Sequence, residues 1–222
     1  MSKKQYVVLG LGVFGSTIAK TLSQFDCEVL AIDRDEECVE RVADIVTKAV
    51  IGDVTDKDFL LDLGVNEFDV GIVAIGNHLE ESILAVMNLK ELGIDHIIAK
   101  AKNKRFMEVL EKVGADRVVR PEKEMGIKIA RSLLRKNITD LTQIDDTYSI
   151  VEMKAVHQWV GKSLTKLDLR KKYNINILGK RNKETYKLEF FIDPHYIVEA
   201  DDHFLLVADT EKIEKLDYSF DD

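Results

Sequence analysis

The stretch Gly10-Leu11-Gly12-Val13-Phe14-Gly15 decides the fold of this 222-residue chain. It follows a short apolar run at residues 6–9, which is typical of a buried strand, and it opens an amphipathic stretch that predicts a helix over residues 12–25. In this setting Gly10 permits a tight turn, Gly12 lets the backbone approach a pyrophosphate, and Gly15 lets the helix pack on the strand. A glycine-rich turn without a ligand is the alternative.

Apolar runs and amphipathic stretches alternate from residue 5 to about residue 120, a pattern that predicts βαβ units and a parallel sheet. The predicted strands are residues 6–9, 29–33, 48–51, 70–75, 97–101 and 117–119. Helices are predicted at residues 12–25, 36–43, 57–63, 79–92 and 105–113. Right-handed crossovers make this order an α/β fold with a doubly wound, Rossmann-like sheet, whose ligand crevice lies at the carboxyl ends of the strands.

The composition of the chain changes after one more predicted helix, residues 122–134, which follows Pro121. Residues 137–140 form a polar break, and the remainder predicts a smaller α+β domain. Its predicted strands are residues 149–156, 175–180, 187–192 and 203–208, followed by a helix at 211–216. We therefore expect a nucleotide-binding domain over residues 1–136, including the 122–134 helix, and a C-terminal domain over 137–222. Because a domain of this length has a marginal core, we expect it to pair with a copy of itself.

Two aspartates end predicted strands on the crevice side. Asp33 lies about 20 residues after the glycine motif, where a carboxylate accepts hydrogen bonds from a ribose diol. It also repels a 2′-phosphate, which favours NAD, ATP, ADP or AMP over NADP, although the neighbouring Arg34 weakens that preference. Asp53 ends the third predicted strand, where its carboxylate could accept a bond from an adenine amino group. For both aspartates the alternative is a role as helix N-cap.

Other residues are expected near the same crevice. Gly76 and Asn77 follow the fourth predicted strand, where they either let the backbone pass close to a ligand or form a plain loop. Lys100 and Lys102 flank the end of the fifth, with one cation aimed at phosphates or both solvated. The expected nucleotide-site residues are Gly10, Gly12, Val13, Phe14, Gly15, Asp33, Arg34, Asp53, Val54, Gly76, Asn77 and Lys100.

Composition narrows the class of protein. A formal net charge of −8 disfavours nucleic acid as a partner, because backbone phosphates are held by clustered Lys and Arg. The chain has no apolar run of about 18 residues and a polar start instead of a signal peptide, so we expect a cytoplasmic protein. Cys27 and Cys38 are interpreted as packing residues. The five histidines are scattered and form no catalytic arrangement, so we do not expect an enzyme. A small NAD-dependent oxidoreductase and a free-standing nucleotide or redox sensor remain as alternatives.

The glycine motif, Asp33, the turn at residues 52–56 and the segment at 114–122 together carry a family resemblance. Along its whole length the chain resembles the cytosolic RCK regulatory subunits of Ktr/Trk bacterial potassium uptake systems. Segments 149–154 and 166–179 look most like those of the streptococcal type that binds cyclic di-AMP. The resemblance implies a homodimer that assembles into an octameric ring at the inner face of the cell membrane. There, nucleotide exchange would gate a Ktr/Trk-type membrane channel subunit.

The resemblance also implies roles for individual residues. Relatives that favour ATP have an Arg inside the glycine motif at the position of Val13, so the choice between ATP and ADP stays open, with NAD, NADH and AMP as further ligands. Glu122 would help to bind a divalent cation, Mg or Ca, although a carboxylate in the first turn of a helix is also favoured by the helix dipole. The implied cyclic di-AMP residues are Leu164, Arg170, Asn176, Ile177 and Pro194. By themselves, Arg170 is a solvated cation, and Leu164 and Ile177 are core residues.

Overall fold

The structure, a computed structural model, describes residues 4–76 and 78–219, and for residues 218 and 219 it describes the backbone. Asn77, a predicted site residue, therefore lies outside the described residues. The chain divides into two compact units, one ending at Met125 and the other beginning at Gly126. Among the described residues, no helix has both the length and the apolar character that crossing a bilayer requires.

The first unit is built on a six-stranded parallel sheet with the strand order β3-β2-β1-β4-β5-β6, the doubly wound arrangement that the sequence predicts. The strands are β1 (Gln5–Leu9), β2 (Glu28–Asp33), β3 (Lys48–Ile51), β4 (Val70–Val73), β5 (His96–Lys100) and β6 (Arg117–Val119). The helices are α1 (Val13–Gln24), α2 (Glu36–Ala43), α3 (Lys57–Asp62), α4 (Leu79–Glu91) and α5 (Lys104–Lys112), with a 3₁₀ turn at Val65–Glu67.

Both faces of this sheet are covered, because successive side chains of each strand point to opposite faces. Val7 and Leu9 of β1 join one buried cluster, whereas Val8 joins the cluster on the other face. Strands that are buried on both faces become continuous apolar runs, which is why the sequence pattern predicts them well. The order of crossovers brings the carboxyl ends of β1, β2, β3 and β4 to one edge, where the loops meet.

Helix α6 (Pro121–Leu134) begins with proline at its first position and contains the point at which the two units divide. The second unit has a five-stranded antiparallel sheet with the order β10-β9-β11-β8-β7. Its strands are β7 (Ile138–Gln143), β8 (Tyr148–Lys154), β9 (Asn176–Arg181), β10 (Leu188–Glu189) and β11 (His203–Asp209). Its helices are α7 (Leu164–Leu167), α8 (Leu169–Tyr173) and α9 (Thr210–Ser219), with a 3₁₀ turn at His157–Trp159.

The core of the second unit is separate from the core of the first. Trp159 packs edge to face on Phe204 with ring centroids 6.2 Å apart, and both rings are buried with Met153 of β8 and Leu206 of β11. Inward-pointing residues alternate along β8 and β11 with residues that are only partly buried. The structure thus has a smaller α+β unit after the doubly wound sheet.

Two sequence predictions in the second unit are wrong. Residues 137–140, predicted as a polar break, contribute to the edge strand β7, of which only Ile138 is fully buried, so its composition resembles that of a loop. The strand predicted at residues 187–192 shrinks to Leu188–Glu189. The chain beyond it bonds elsewhere: the Thr165 amide donates to the Pro194 carbonyl (3.0 Å), and Leu164 to that of Tyr196 (3.2 Å).

Candidate functional site

The glycines of the first β-to-α turn have different structural reasons. Gly10 has φ +93°, a left-handed conformation, and a Cβ there would lie 3.1 Å from Ile75 Cγ1. A Cβ on Gly15 would lie 1.9 Å from the carbonyl oxygen of Gly10, so only glycine lets α1 pack against this turn. A Cβ on Gly12 would meet nothing within 4 Å. Gly10 and Gly15 therefore shape the turn, whereas Gly12 borders open space.

Among the residues that the structure describes, the first amides of α1 have no side-chain acceptor, which is a feature of anion-binding helix N-termini. Gly12 is its N-cap, and neither a side-chain cap nor an acidic first-turn residue satisfies its leading amides in the described structure. Helices α2, α3 and α5 differ, because Asp35, Asp56 and Asn103 cap them with side-chain oxygens. Uncapped amides at the positive end of the helix dipole suit phosphate oxygens.

Asp33 ends β2 beside this turn. Its Oδ2 accepts a hydrogen bond from the amide of Leu11 at 2.5 Å, and its Oδ1 accepts one from the amide of Asp35 at 2.9 Å. The alternative that Asp33 caps α2 is excluded, because Asp35 does so by accepting from the amide of Glu37 at 3.0 Å. Each carboxylate oxygen keeps a further lone pair, so Asp33 is oriented by the backbone and still able to accept ribose hydroxyls.

Asp53 follows β3 on the same edge of the sheet. Its Oδ1 accepts from the hydroxyl of Thr55 at 2.7 Å and from the Thr55 amide at 2.8 Å, and these bonds lower the pKa of the Asp53 carboxyl. The N-cap of α3 is Asp56, whose carboxylate accepts from the amide of Phe59 at 3.1 Å. The capping alternative for Asp53 is therefore excluded too, and an ionised acceptor stands beside the crevice.

A cavity of about 210 Å³ opens at this edge of the sheet. The predicted residues that line it are Gly10, Gly12, Asp33, Arg34, Asp53, Val54 and Gly76. Sequence reasoning missed five others: Gly52, Ala74, Ile75, His78 and Glu81. Gly52, Ala74, Ile75 and His78 adjoin or nearly adjoin predicted residues, a signal that could have found them. Glu81 comes from the first turn of α4 and carries no local signal.

Arg34 and Glu81 form an ion pair at the cavity, with Nη1 and Oε1 2.9 Å apart. The Arg34 side chain is 65% exposed, so the pair contributes little stability, on the order of 1 kcal/mol or less. A 2′-phosphate would have to compete with Glu81 for the guanidinium. The ion pair thus reduces, by the small amount that such a pair contributes, the attraction of Arg34 for a 2′-phosphate.

Several predicted residues lie outside the cavity lining. Val13 is 86% exposed, Phe14 packs on the cluster behind the sheet, and Gly15 is buried in the turn. Lys100 does not line the cavity but lies beside Gly76, which does. Its Nζ lies 5.8 Å from the centre of the Phe14 ring, and a Cβ on Gly76 would approach its Cε to 2.9 Å. Lys102 is exposed.

Glu122 lies in the first turn of α6 and pairs with Lys100, whose Nζ is 2.5 Å from Glu122 Oε1. The bond from the Lys100 ammonium holds the pKa of the Glu122 carboxyl below its usual value. Within residues 4–76 and 78–219, no group of three or more His, Cys, Asp or Glu is placed to hold a metal ion. Glu122 is thus a single carboxylate with a lysine as its present counter-ion.

The residues implied for cyclic di-AMP all fall in the second unit. The backbone segments that contain Leu164 and Pro194 run side by side, because the amide of Thr165 donates to the carbonyl of Pro194 and the amide of Leu164 to that of Tyr196. Ile177 of β9 and Leu164 both pack against the core of this unit, as expected from the residues alone. Asn176 and Arg170 are exposed. The structure therefore brings the segments of Leu164 and Pro194 together and leaves Arg170 at the surface of α8.

The first unit is a Rossmann-type domain: its sheet is doubly wound, α1 has no side-chain cap among the described residues, and Asp33 ends the second strand beside it. A small α+β unit with an antiparallel sheet follows. Two family matches agree with this division: a TrkA-N domain over residues 6–121 and a TrkA-C domain over residues 150–220. The chain belongs to the TrkA-N/TrkA-C family, that of the Ktr potassium uptake proteins.

The similarity to two of these potassium uptake proteins covers most of the length of both chains. The chain is 45% identical over 183 residues to the Ktr system potassium uptake protein C of Bacillus subtilis, covering 82% of this chain and 83% of that protein. It is 32% identical over 211 residues to the Ktr system potassium uptake protein A of Vibrio alginolyticus, covering 95% and 94%.

A solved structure shares the fold. The GsuK channel bound to NAD matches with a TM-score of 0.65 at 17% identity, covering 100% of this chain and 40% of the channel chain. The present chain therefore spans less than half the length of that protein, and at this identity the likeness concerns the fold alone.

Proposed function

We propose that the chain is the regulatory, gating subunit of a Ktr-type potassium uptake system. It works from the cytoplasm at the inner face of the membrane, where a separate channel subunit supplies the pore. The names of its relatives support this assignment, and so does its fold, which recurs within a channel protein that binds NAD. The same names favour a gating subunit over a small oxidoreductase or a free-standing sensor.

The signal to which it responds is an adenine nucleotide bound in the 210 Å³ cavity. The observation that carries this proposal is the α1 N-terminus, left without a cap beside open space at Gly12 and within reach of the Asp33 carboxylate. The amides hold the diphosphate, Asp33 the ribose, and Asp53 with Val54 the adenine. Val13 stands where relatives that favour ATP have an Arg, so this turn offers no cation to a γ-phosphate, and NAD, NADH, ADP and AMP are candidate ligands beside ATP.

Glu122 takes part through a divalent cation, Mg or Ca. One carboxylate supplies only part of an oxygen coordination shell, so nucleotide phosphates and a second copy of the chain supply the rest. Lys100 is the competitor, because it is the present counter-ion of Glu122. Nucleotide phosphates draw Lys100 away from Glu122, and the carboxylate then becomes available to the cation.

The working unit is a homodimer that assembles into an octameric ring, with a nucleotide-binding domain over residues 1–136 and a ligand-binding domain over 137–222. Exposed apolar residues of α6 support pairing, since water-facing side chains of this kind mark contact surfaces: Met125, Ile127, Ile129, Leu133 and Leu134. Cyclic di-AMP binds across the paired C-terminal domains through Leu164, Arg170, Asn176, Ile177 and Pro194. Each ligand shifts the ring only as far as its affinities for the two shapes differ.

Calorimetric titration of the full chain against ATP, ADP, AMP, NAD and NADH tests the nucleotide site. Asp33→Asn keeps an acceptor for the Leu11 amide but removes the charge, so we expect it to weaken binding about tenfold or more. Asp95→Ala, an exposed acid at the opposite end of the sheet before β5, is the matched control and should bind like the parent.

Two outcomes would refute parts of the proposal. Equal affinity for Asp33→Asn and the parent chain would place the nucleotide elsewhere. Failure of the chain to co-purify with a Ktr-type channel subunit, combined with consumption of NADH on adding a substrate, would favour the oxidoreductase instead.

A further inference from the structure

A second cavity, about 200 Å³ in volume, lies within the C-terminal unit and has no part in the function proposed above. It is formed by the 3₁₀ turn at His157–Trp159, α7 and α8. The cavity has an apolar floor and a basic rim. The floor consists of Trp159, Leu167 and Leu169, which are buried, and the rim of Lys162, Lys166 and Lys172, which are exposed.

Among the residues that the structure describes, no carboxylate neutralises the charge of this rim. No carboxylate of the described residues lies within ion-pair distance of these three ammonium groups, and the lining of the cavity contains no Asp or Glu. Lys162 donates a hydrogen bond to the carbonyl of Gln158 at 2.8 Å, a neutral partner that leaves its charge in place. Other lysines of the same unit are paired: Lys154 with Asp201, Lys180 with Glu189, Lys212 with Asp209 and Lys215 with Glu211.

Three like charges around one small cavity repel one another, and a chain with a net charge of −8 has many carboxylates that could have relieved this repulsion. A bound anion of two or more charges would do so. Each lysine ammonium group is a compact positive charge with three hydrogen-bond donors on a flexible side chain. Lysine is therefore a good ligand for phosphoryl oxygens. The volume admits a group the size of a pyrophosphate, and the apolar floor suits the carbon part of a phosphate ester.

We propose that this cavity is a binding site for a phosphoryl group, held by Lys162, Lys166 and Lys172. The ligand is a phosphate ester or a pyrophosphate, free in solution or presented as the headgroup of an anionic lipid. The site shares no residue with the nucleotide cavity of the first unit, nor with the set that the family resemblance assigns to cyclic di-AMP.

Lysine footprinting on the full chain tests the proposal site by site. The chain is treated with an amine-reactive reagent with and without pyrophosphate, and mass spectrometry gives the modification rate of each lysine. We expect pyrophosphate to slow modification of the three rim lysines about twofold or more. Lys187 is the internal control, because it is exposed, has no ion-pair partner among the described residues and lies outside the cavity. Binding of pyrophosphate at the α1 turn cannot imitate this result, because none of the rim lysines lies there.

Variants and vesicles complete the test. Each single change, Lys162→Gln, Lys166→Gln or Lys172→Gln, should weaken this site about two- to fivefold, as for exposed charge pairs, and the triple variant about tenfold or more. Lys187→Gln should match the parent, and all variants should keep the parent melting temperature. If phosphatidylglycerol vesicles protect the rim and pyrophosphate does not, the ligand is a lipid headgroup. The proposal is overturned if neither probe slows the rim lysines more than Lys187.

Discussion

An added methyl group would clash at one glycine of the first β-to-α turn, Gly15, and would meet no atom of the described residues within 4 Å at another, Gly12. At Gly15 the added Cβ would overlap the carbonyl oxygen of Gly10, a backbone atom that cannot move without displacing α1. At Gly12 the same group would enter open space, and the φ of −60° is one that alanine adopts readily. The two positions therefore separate the structural role of the motif from the ligand-binding role that we propose for it.

We expect Gly15→Ala to lower the free energy of unfolding by about 1–3 kcal/mol, as overpacking usually does. Gly12→Ala should leave stability within about 1 kcal/mol of the parent but weaken nucleotide binding, because its methyl group occupies the approach of the diphosphate. Urea denaturation and calorimetric titration measure the two effects. Loss of stability in Gly12→Ala, or normal nucleotide affinity in it, would contradict this division of roles.

At the scale of elements, the C-terminal sheet is tied by an ion pair that spans a strand. Glu152 lies on β8 and Arg181 on β9, with β11 between them in the sheet. The guanidinium donates two bonds to the carboxylate, at 2.6 and 2.7 Å, and a third to the carbonyl of Tyr186 at 2.8 Å. Less than a third of each side chain is exposed, so the pair is only partly screened by water.

These bonds from Arg181 hold the pKa of Glu152 below its ordinary value of 4.5. A carboxyl whose pKa is lowered by folding stabilises the fold above its unfolded pKa, and that contribution is lost as pH falls through the folded pKa. We expect Glu152→Gln to cost about 1–3 kcal/mol at neutral pH and less as the pH drops below about 4.5. Urea denaturation at about pH 7 and about pH 4 measures this. Glu211→Gln, which removes an exposed pair, is the control, and an equal cost at both pH values would refute the argument.

Elements differed in how far the sequence could predict them. The four inner parallel strands, β1, β2, β4 and β5, carry their own signal, since burial on both faces makes each one an apolar run. The outer strands β3 and β6 are only partly buried, and their β-branched residues mark them in the sequence. The edge strands β7 and β10 carry no comparable signal, because half of each faces water and their extent depends on which neighbour the backbone bonds. At the site, Gly10 and Asp33 were predictable from spacing within one β-α-β unit. The pairs Arg34–Glu81 and Lys100–Glu122 were not, because each joins elements that are distant in sequence.

At the scale of the whole chain, the point of division between the units falls inside α6, between Met125 and Gly126. A glycine within a helix is unusual, because it costs about 1 kcal/mol relative to alanine. Among the described residues of a single chain no neighbour requires it, since a Cβ on Gly126 would meet nothing within 4 Å. Packing within one chain thus offers no reason for this glycine. The wider conformational range of glycine offers one, because it permits a change of backbone conformation at this point of α6.

We therefore expect Gly126→Ala to raise the free energy of unfolding by about 0.5–1 kcal/mol and to leave nucleotide affinity unchanged, because residue 126 does not line the cavity. If nucleotide binding in the first unit is transmitted through α6, as the gating proposal requires, the variant should blunt the effect of saturating ADP on hydrogen exchange in β8, β9 and β11. Ser132→Ala, a smaller gain in helix propensity later in α6, should leave that effect intact. Equal responses in the parent and Gly126→Ala would show that a change of conformation at this glycine does not carry the signal.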